Sequence, residues 1–116
     1  MRFPHSHRLV TKAEFKNVFD DALKVSQKHV LILYKPNHKN HPRIGIIVGK
    51  RVANLAVSRN RIRRLVRESF RVYQEKLAGW DIVVIARGNC DTLTNLKLRE
   101  GIDSLWERLL NQYLSK

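Results

Sequence analysis

KRVANLAVSRNRIRRLVRESFRVYQEK, residues 50–76, carries nine arginine and lysine side chains against two glutamates. From about Ser58, Ile62, Leu65, Val66, Ser69, Phe70 and Tyr73 recur at steps of three and four, the repeat of an amphipathic helix. No Gly or Pro interrupts residues 54–78. At about 100° per residue, Arg59, Asn60, Arg63, Arg64, Arg67 and Arg71 share an arc of roughly 140°, with Arg61 at its border and apolar residues opposite. Asn54 or Ser58 offers a short side-chain acceptor to cap the first N–H groups of such a helix.

Five arginines on one helix face repel one another unless an anion lies against them. A face built for solubility would interleave Glu with Lys at i,i+4. The planar guanidinium fork, moreover, matches phosphate oxygens in pairs. The stretch therefore reads as a binder of a nucleic-acid backbone. The alternatives are a merely solvated charged face and a helix lying on anionic lipid. The second is disfavoured because the stretch has no Trp and no apolar excess flanked by Lys.

The rest of the chain supports a polyanionic partner. Net charge is +13 and the isoelectric point about 10.6. Residues 1–80 hold 18 positive and 5 negative side chains, whereas residues 81–116 hold 5 of each, so the excess is confined to one part of the chain. With 116 residues and 43% hydrophobic content, a single domain over 1–116 is expected, large enough to bury a core without metal or disulfides. Residues 1–8 read as a flexible basic arm. Cys90 is the only cysteine, which excludes an internal disulfide and fits a reducing compartment. No apolar run approaches 18 residues and no signal-peptide core opens the chain. A soluble cytoplasmic protein with no membrane partner is expected.

In chain order, Thr11 with Glu14 forms a capping-box signature for a first helix reaching about Ala22, with Val10 and Phe15 as its hydrophobic staple. Phe15, Val18, Phe19 and Ala22 share one face. The two Phe side chains are either core or an aromatic surface for stacking single-stranded bases. Lys28–Tyr34 and Arg43–Gly49 read as strands, joined by the turn-rich PNHKNHP segment into an antiparallel hairpin. Gly79 and Trp80 end the basic helix. Asp81–Ala86, nearly all apolar, reads as a central strand covered on both faces. Leu96, Leu98, Ile102, Leu105, Trp106, Leu109, Leu110 and Tyr113 carry a last helix. The fold class is α+β, a small sheet covered by helices.

Catalytic constellations are absent from the pattern. The ten acids are scattered, with no cluster of the kind a nuclease uses to hold Mg2+. His5 and His7, and His38 and His41, have metal-like spacing but no Cys or acid completes either set. Cys90 has no partner base nearby in sequence and reads as an ordinary loop thiol.

Several motifs in order resemble the bacterial ribonuclease P protein family: HRLVTKAEFKNVF, HPRIGIIVGKR, the RNR box with its basic helix in RNRIRRLVRESF, DIVVIAR, and a closing amphipathic helix containing Leu105-Trp106. The resemblance covers nearly the whole chain. It implies an α/β sandwich with a mixed four-stranded sheet, order α-β-β-(β)-α-β-α, and a left-handed βαβ crossover through the RNR helix, against the usual rule. The residues themselves show three long strands, so a fourth short one is expected at Lys50–Val52 or around Val57.

The resemblance also implies a function. The protein would be an accessory subunit of the endonuclease that removes the 5′ leader of precursor tRNA, paired one-to-one with a catalytic RNA that holds the Mg2+. By position, Lys50, Arg51, Asn54, Arg59, Asn60, Arg61, Arg63, Arg64 and Arg67 would contact that RNA. Phe15, Phe19 and a strand aromatic, Tyr34, would line a cleft for the single-stranded leader. The competing readings are a structural RNA-binding protein of ribosomal type and a protein-only nuclease.

Overall fold

The computed structural model describes residues 8, 9 and 11–114. Residues 1–7 of the arm, and Val10 of the expected staple, lie outside them. The elements are α1 (Lys12–Asp20), β1 (Leu23–Ser26), β2 (Val30–Pro36), β3 (Arg43–Ile47), α2 (Ala56–Tyr73), β4 (Trp80–Ala86), a 3-10 turn at Cys90–Thr92, and α3 (Asn95–Leu114). Three helices on a mixed four-stranded sheet bear out the α+β expectation.

The capping box at α1 is formed. Thr11 Oγ1 accepts from the Glu14 N–H at 3.1 Å, and the Thr11 N–H donates to Glu14 Oε1 at 2.9 Å. A helix of 9 residues is marginal by itself, so α1 relies on this cap and on burial of Val18 against the sheet. At α2, neither Asn54 nor Ser58 caps. Leu55 occupies the cap position in an extended conformation with no side-chain hydrogen bond, and the helix starts at Ala56, before Ser58.

Two further expectations are corrected. The fourth strand is Leu23–Ser26, not Lys50–Val52 or a segment around Val57. The first helix stops at Asp20 and the chain turns into this strand, which pairs antiparallel with β2 (Val25 opposite Ile32). Nor do β2 and β3 form a hairpin. The sheet order is β1-β2-β4-β3, so β4 lies between them, antiparallel to β2 and parallel to β3. The 37–42 connection is not a tight turn that would impose pairing, and His38 within it sits at φ 58°. Strand β4 is the one whose side chains need cover on both faces, and the middle of the sheet supplies it.

Period-two alternation divides the sheet into two faces. Ile32 and Tyr34 of β2, Ile44 of β3, and Ile82 and Val84 of β4 face a core closed by Ile62, Leu65, Val66 and Phe70 of α2 and Leu98, Ile102, Leu105, Trp106 and Leu109 of α3. Each such side chain contributes roughly 1.5–3 kcal/mol of burial. Trp106 Nε1 donates to Ser69 Oγ at 2.9 Å, and Ser69 in turn donates to Asp103, so the polar atoms buried between the two helices are paired. The opposite face carries Leu33, Ile47, Val83 and Ile85. Among the described residues, α1 with Ala22 after it and Leu9 of the preceding segment cover it.

Candidate nucleic-acid interface

The basic helix presents the arc read from the sequence, but its cations are not equivalent. Arg59 Nη1 donates to the Ala53 and Asn54 carbonyls at 2.9 and 3.1 Å, bracing the connector that enters α2. Arg61 donates to Asn95 Oδ1 at 2.6 Å and to the Asp91 carbonyl at 3.0 Å, tying α2 to the start of α3. Lys50, Arg51, Asn54, Asn60, Arg64 and Arg67 are exposed, and Arg63 is half-buried. Arg64 approaches Glu68 only at 4.0 Å. Two arginines of the RNR box thus orient the helix ends, while the remainder of the set faces outward.

On the thinly covered face, α1 and β3 enclose a cleft of about 430 Å³ lined by Lys12, Phe15, Lys16, Phe19 and Ile47. Its walls are apolar, with ammonium groups on the α1 side. Phe19 is 45% exposed, a fraction that a core residue would not keep. Phe15 lies over Gly45, where an added Cβ would overlap its ring. The glycine therefore permits close approach of an aromatic ring to the strand.

Arg43 joins the floor of this region to α1. Its Nε and Nη2 bind the two Asp81 oxygens at 2.8 and 2.6 Å, and its Nη1 binds Glu14 Oε2 at 2.7 Å. Asn37 Nδ2 adds a further bond to Asp81 Oδ1 at 2.9 Å, so the buried carboxylate is fully engaged. The hydrogen bond that Arg43 donates to Asp81, outweighing desolvation, raises the Arg43 pKa further. The same Glu14 thus caps α1 and anchors it to the sheet.

Tyr34 does not belong to the cleft. It is 1% exposed, packs edge-on to Trp80 at 5.3 Å between ring centroids, and donates its hydroxyl proton to Gln112 of α3. Burial pushes its pKa up. Strand alternation puts Tyr34 on the sealed face, and the β2 residue on the α1 face is its neighbour Leu33. Lys12, Lys16 and Ile47 also line the cleft, and Gly45 lies beneath Phe15, none of them marked by a sequence motif. The signal for Ile47 and Gly45 was the alternation of β3, which places them on the side opposite Ile44.

A smaller recess of about 170 Å³ adjoins the cleft, sharing Phe15 with it and bringing in Gly45, Arg8, Arg63 and Arg67. Arg8 is therefore not part of a free arm. It bridges to Ile44, and the Leu9 N–H donates to the Ile44 carbonyl at 2.9 Å.

Of the other candidates, His5 and His7 lie outside the described residues. Cys90 is fully buried, and desolvation pushes its thiol up to about 11, so it stays protonated near neutrality. Among the described residues, no three His, Cys, Asp or Glu side chains converge as metal ligands. His29 Nδ1 lies 2.9 Å from the Gly88 carbonyl and His41 Nδ1 3.2 Å from Asn40 Oδ1, both away from any acid cluster. Among the described residues, no helix is long and apolar enough to cross a membrane.

Comparison with known proteins gives the family and the fold. The family profile described as Ribonuclease P matches residues 3–110. The chain belongs to the ribonuclease P protein family. The ribonuclease P protein component of Pseudomonas aeruginosa (strain LESB58) is 51% identical over 109 residues, covering 93% of this chain and 81% of that protein. The component from Azotobacter vinelandii is 48% identical over 108 residues, covering 92% and 83%. Among solved structures, the ribonuclease P protein of Staphylococcus aureus superposes with a TM-score of 0.83 at 28% identity, covering 89% of this chain and 94% of that one. That of Thermotoga maritima gives 0.75 at 29% identity, covering 87% and 96%. The fold is thus that of the ribonuclease P proteins.

Proposed function

We propose that the chain is the protein subunit of ribonuclease P, acting in the cytoplasm in a one-to-one complex with a catalytic RNA. The observation that carries this reading is a juxtaposition within a member of this family. An outward arginine and lysine surface on α2 and its connector lies next to an apolar cleft walled by two aromatic rings. Lys50, Arg51, Asn54, Asn60, Arg63, Arg64 and Arg67 neutralise phosphates of the RNA subunit, and Arg59 and Arg61 hold the helix in place for them. Phe15 and Phe19 take the 5′ leader of precursor tRNA by stacking on unpaired bases. Mature tRNA lacks the leader, so the cleft favours substrate over product. One or two stacked bases contribute about 1–3 kcal/mol each.

Mg2+, which supplies the Lewis-acid chemistry of cleavage when bound, finds no set of three carboxylate, His or Cys ligands among the described residues. Glu14 and Asp81 are committed to Arg43, Asp103 to Ser69 and Arg99, and Glu107 to Tyr73. The reading therefore keeps the metal on the RNA. What the protein does is lower the electrostatic cost of packing RNA phosphates and position the leader.

The test is precursor-tRNA cleavage at low Mg2+ by the RNA alone, the protein alone and the mixture. Strong cleavage at the mature 5′ end only in the mixture is expected. No gain over the RNA alone would leave a basic RNA-binding domain, and activity of the protein alone would move catalysis into it.

A further inference from the structure

We propose that Arg8, Arg63 and Arg67 form a subsite for one phosphodiester group at the junction of the cleft and α2. The three side chains come from two separate parts of the chain and meet in the 170 Å³ recess. Arg63 and Arg67 are one helical turn apart on α2, so both reach the same side. Arg8 is brought to them by its bridge to Ile44 at the outer edge of β3. No carboxylate lines the recess. Among the described residues, none of the three arginines is in an ion pair, and the only side-chain hydrogen bond to one of them is Arg63 Nη1 to Asn60 Oδ1 at 3.5 Å.

Three cationic side chains lining so small a volume repel one another, and an anion between them would offset that repulsion. The recess takes a phosphate group with its water rather than a stacked nucleotide. Because it shares Phe15 with the cleft, a strand whose base stacks on that ring carries its backbone toward these arginines. This rests on the cleft reading for one of two sources of the phosphate, the leader. The other source is the RNA subunit lying along α2. Arg8 and Arg67 are exposed, so replacing either leaves the core intact.

The experiment uses the reconstituted holoenzyme with precursor tRNAs of increasing leader length, blocked at the scissile bond. Binding of each substrate, and separately of the protein to the RNA subunit, is compared for wild type, Arg8→Ala, Arg8→Lys and Lys28→Ala. Lys28 is exposed in the turn between β1 and β2, at the opposite side of the sheet from β3, and controls for loss of one charge. A phosphate of the leader predicts that Arg8→Ala loses about tenfold, only for leaders long enough to reach the recess. A neutral methylphosphonate at one leader position should then reproduce that loss in wild type and add nothing in Arg8→Ala. A phosphate of the RNA subunit predicts the same loss in protein–RNA affinity, identical for every leader. Either way the log–log salt slope should fall by about 0.7–0.9, and Arg8→Lys should recover part of the loss. If Arg8→Ala behaves like Lys28→Ala in both assays, the subsite is refuted. Absence of any leader dependence in wild type would sink the cleft reading instead, while a loss of RNA affinity in Arg8→Ala would still assign the subsite.

Discussion

The two faces of the sheet are built from the same four strands and do opposite work. One is sealed by α2 and α3, and its large side chains are essentially without solvent contact: Trp106 0%, Phe70 0%, Tyr34 1%. Among the described residues the other carries one short helix, and beside it Phe19 is 45% exposed. The sealed face accounts for most of the burial that drives folding. The open face leaves apolar surface uncovered, and uncovered apolar surface ringed by cations marks a place for a partner. The proposed function puts recognition on the open side and stability on the sealed one, and this division can be broken by experiment.

The largest effect should come from the sealed face. Trp106→Ala is expected to destabilise the protein by about 3–5 kcal/mol, read from the urea midpoint, because it leaves a cavity and unpairs Ser69. Loss of RNA binding in that variant should track unfolding. If RNA binding fell while the midpoint held, the division of labour between the faces would be wrong.

Next is the anchor between the faces. Arg43→Ala strands the buried Asp81 carboxylate and should cost about 2–4 kcal/mol, somewhat less than a wholly buried pair because Arg43 is 18% exposed. Replacing Arg43 and Asp81 together by apolar residues should cost less than Arg43→Ala alone. A double variant worse than the single one would mean the ion pair is net stabilising beyond its mutual compensation.

On the open face the order of effects should invert. Phe19→Ala is expected to change stability by at most about 0.5 kcal/mol yet weaken leader-dependent substrate binding by about 1–3 kcal/mol. A fall in melting temperature with no change in leader preference would return Phe19 to a purely structural role.

The smallest effect concerns pH. The Cys90 thiol is raised to about 11 from 9.0 by burial. The folded state therefore binds this proton more tightly than the unfolded state. The stabilisation is fully present below pH 9 and is lost as pH rises toward 11. Cys90→Ala should flatten the stability profile across that window. Equal slopes for variant and wild type would show that the thiol is not the source. Tyr73, raised to about 12 chiefly by desolvation, contributes in the same direction at higher pH and is common to both proteins.

Legibility in the sequence followed the range of the interactions. The capping box of α1 and the apolar stripe of α2 are repeats along one element, and both stand where the pattern puts them. The central position of β4 followed from composition alone, since a strand of Ile and Val on both sides has nowhere else to go. Strand β1 was hidden because LKVS is too short to show alternation and follows an acidic pair that reads as a helix end. Tyr34 was misassigned to the leader cleft because an aromatic in a strand attracts that role. Whether it or Leu33 faces α1 depends on which side of the sheet carries which helix.

The sequence by itself determined the polyanionic character of the partner and every α-helix and strand except β1. Thirteen net positive charges confined to one part of the chain, an arginine arc without matching acids, and period-3.6 and period-2 patterns are all properties of neighbours along the chain. Only the tertiary structure decided that β4 parts β2 from β3, that Arg59 and Arg61 brace the helix rather than face outward freely, and that Arg8 meets Arg63 and Arg67 beside Phe15. Those facts depend on long-range pairing of strands and on which face each helix covers. No local propensity encodes them, because the free energy that selects them comes from burying both faces of one sheet at once.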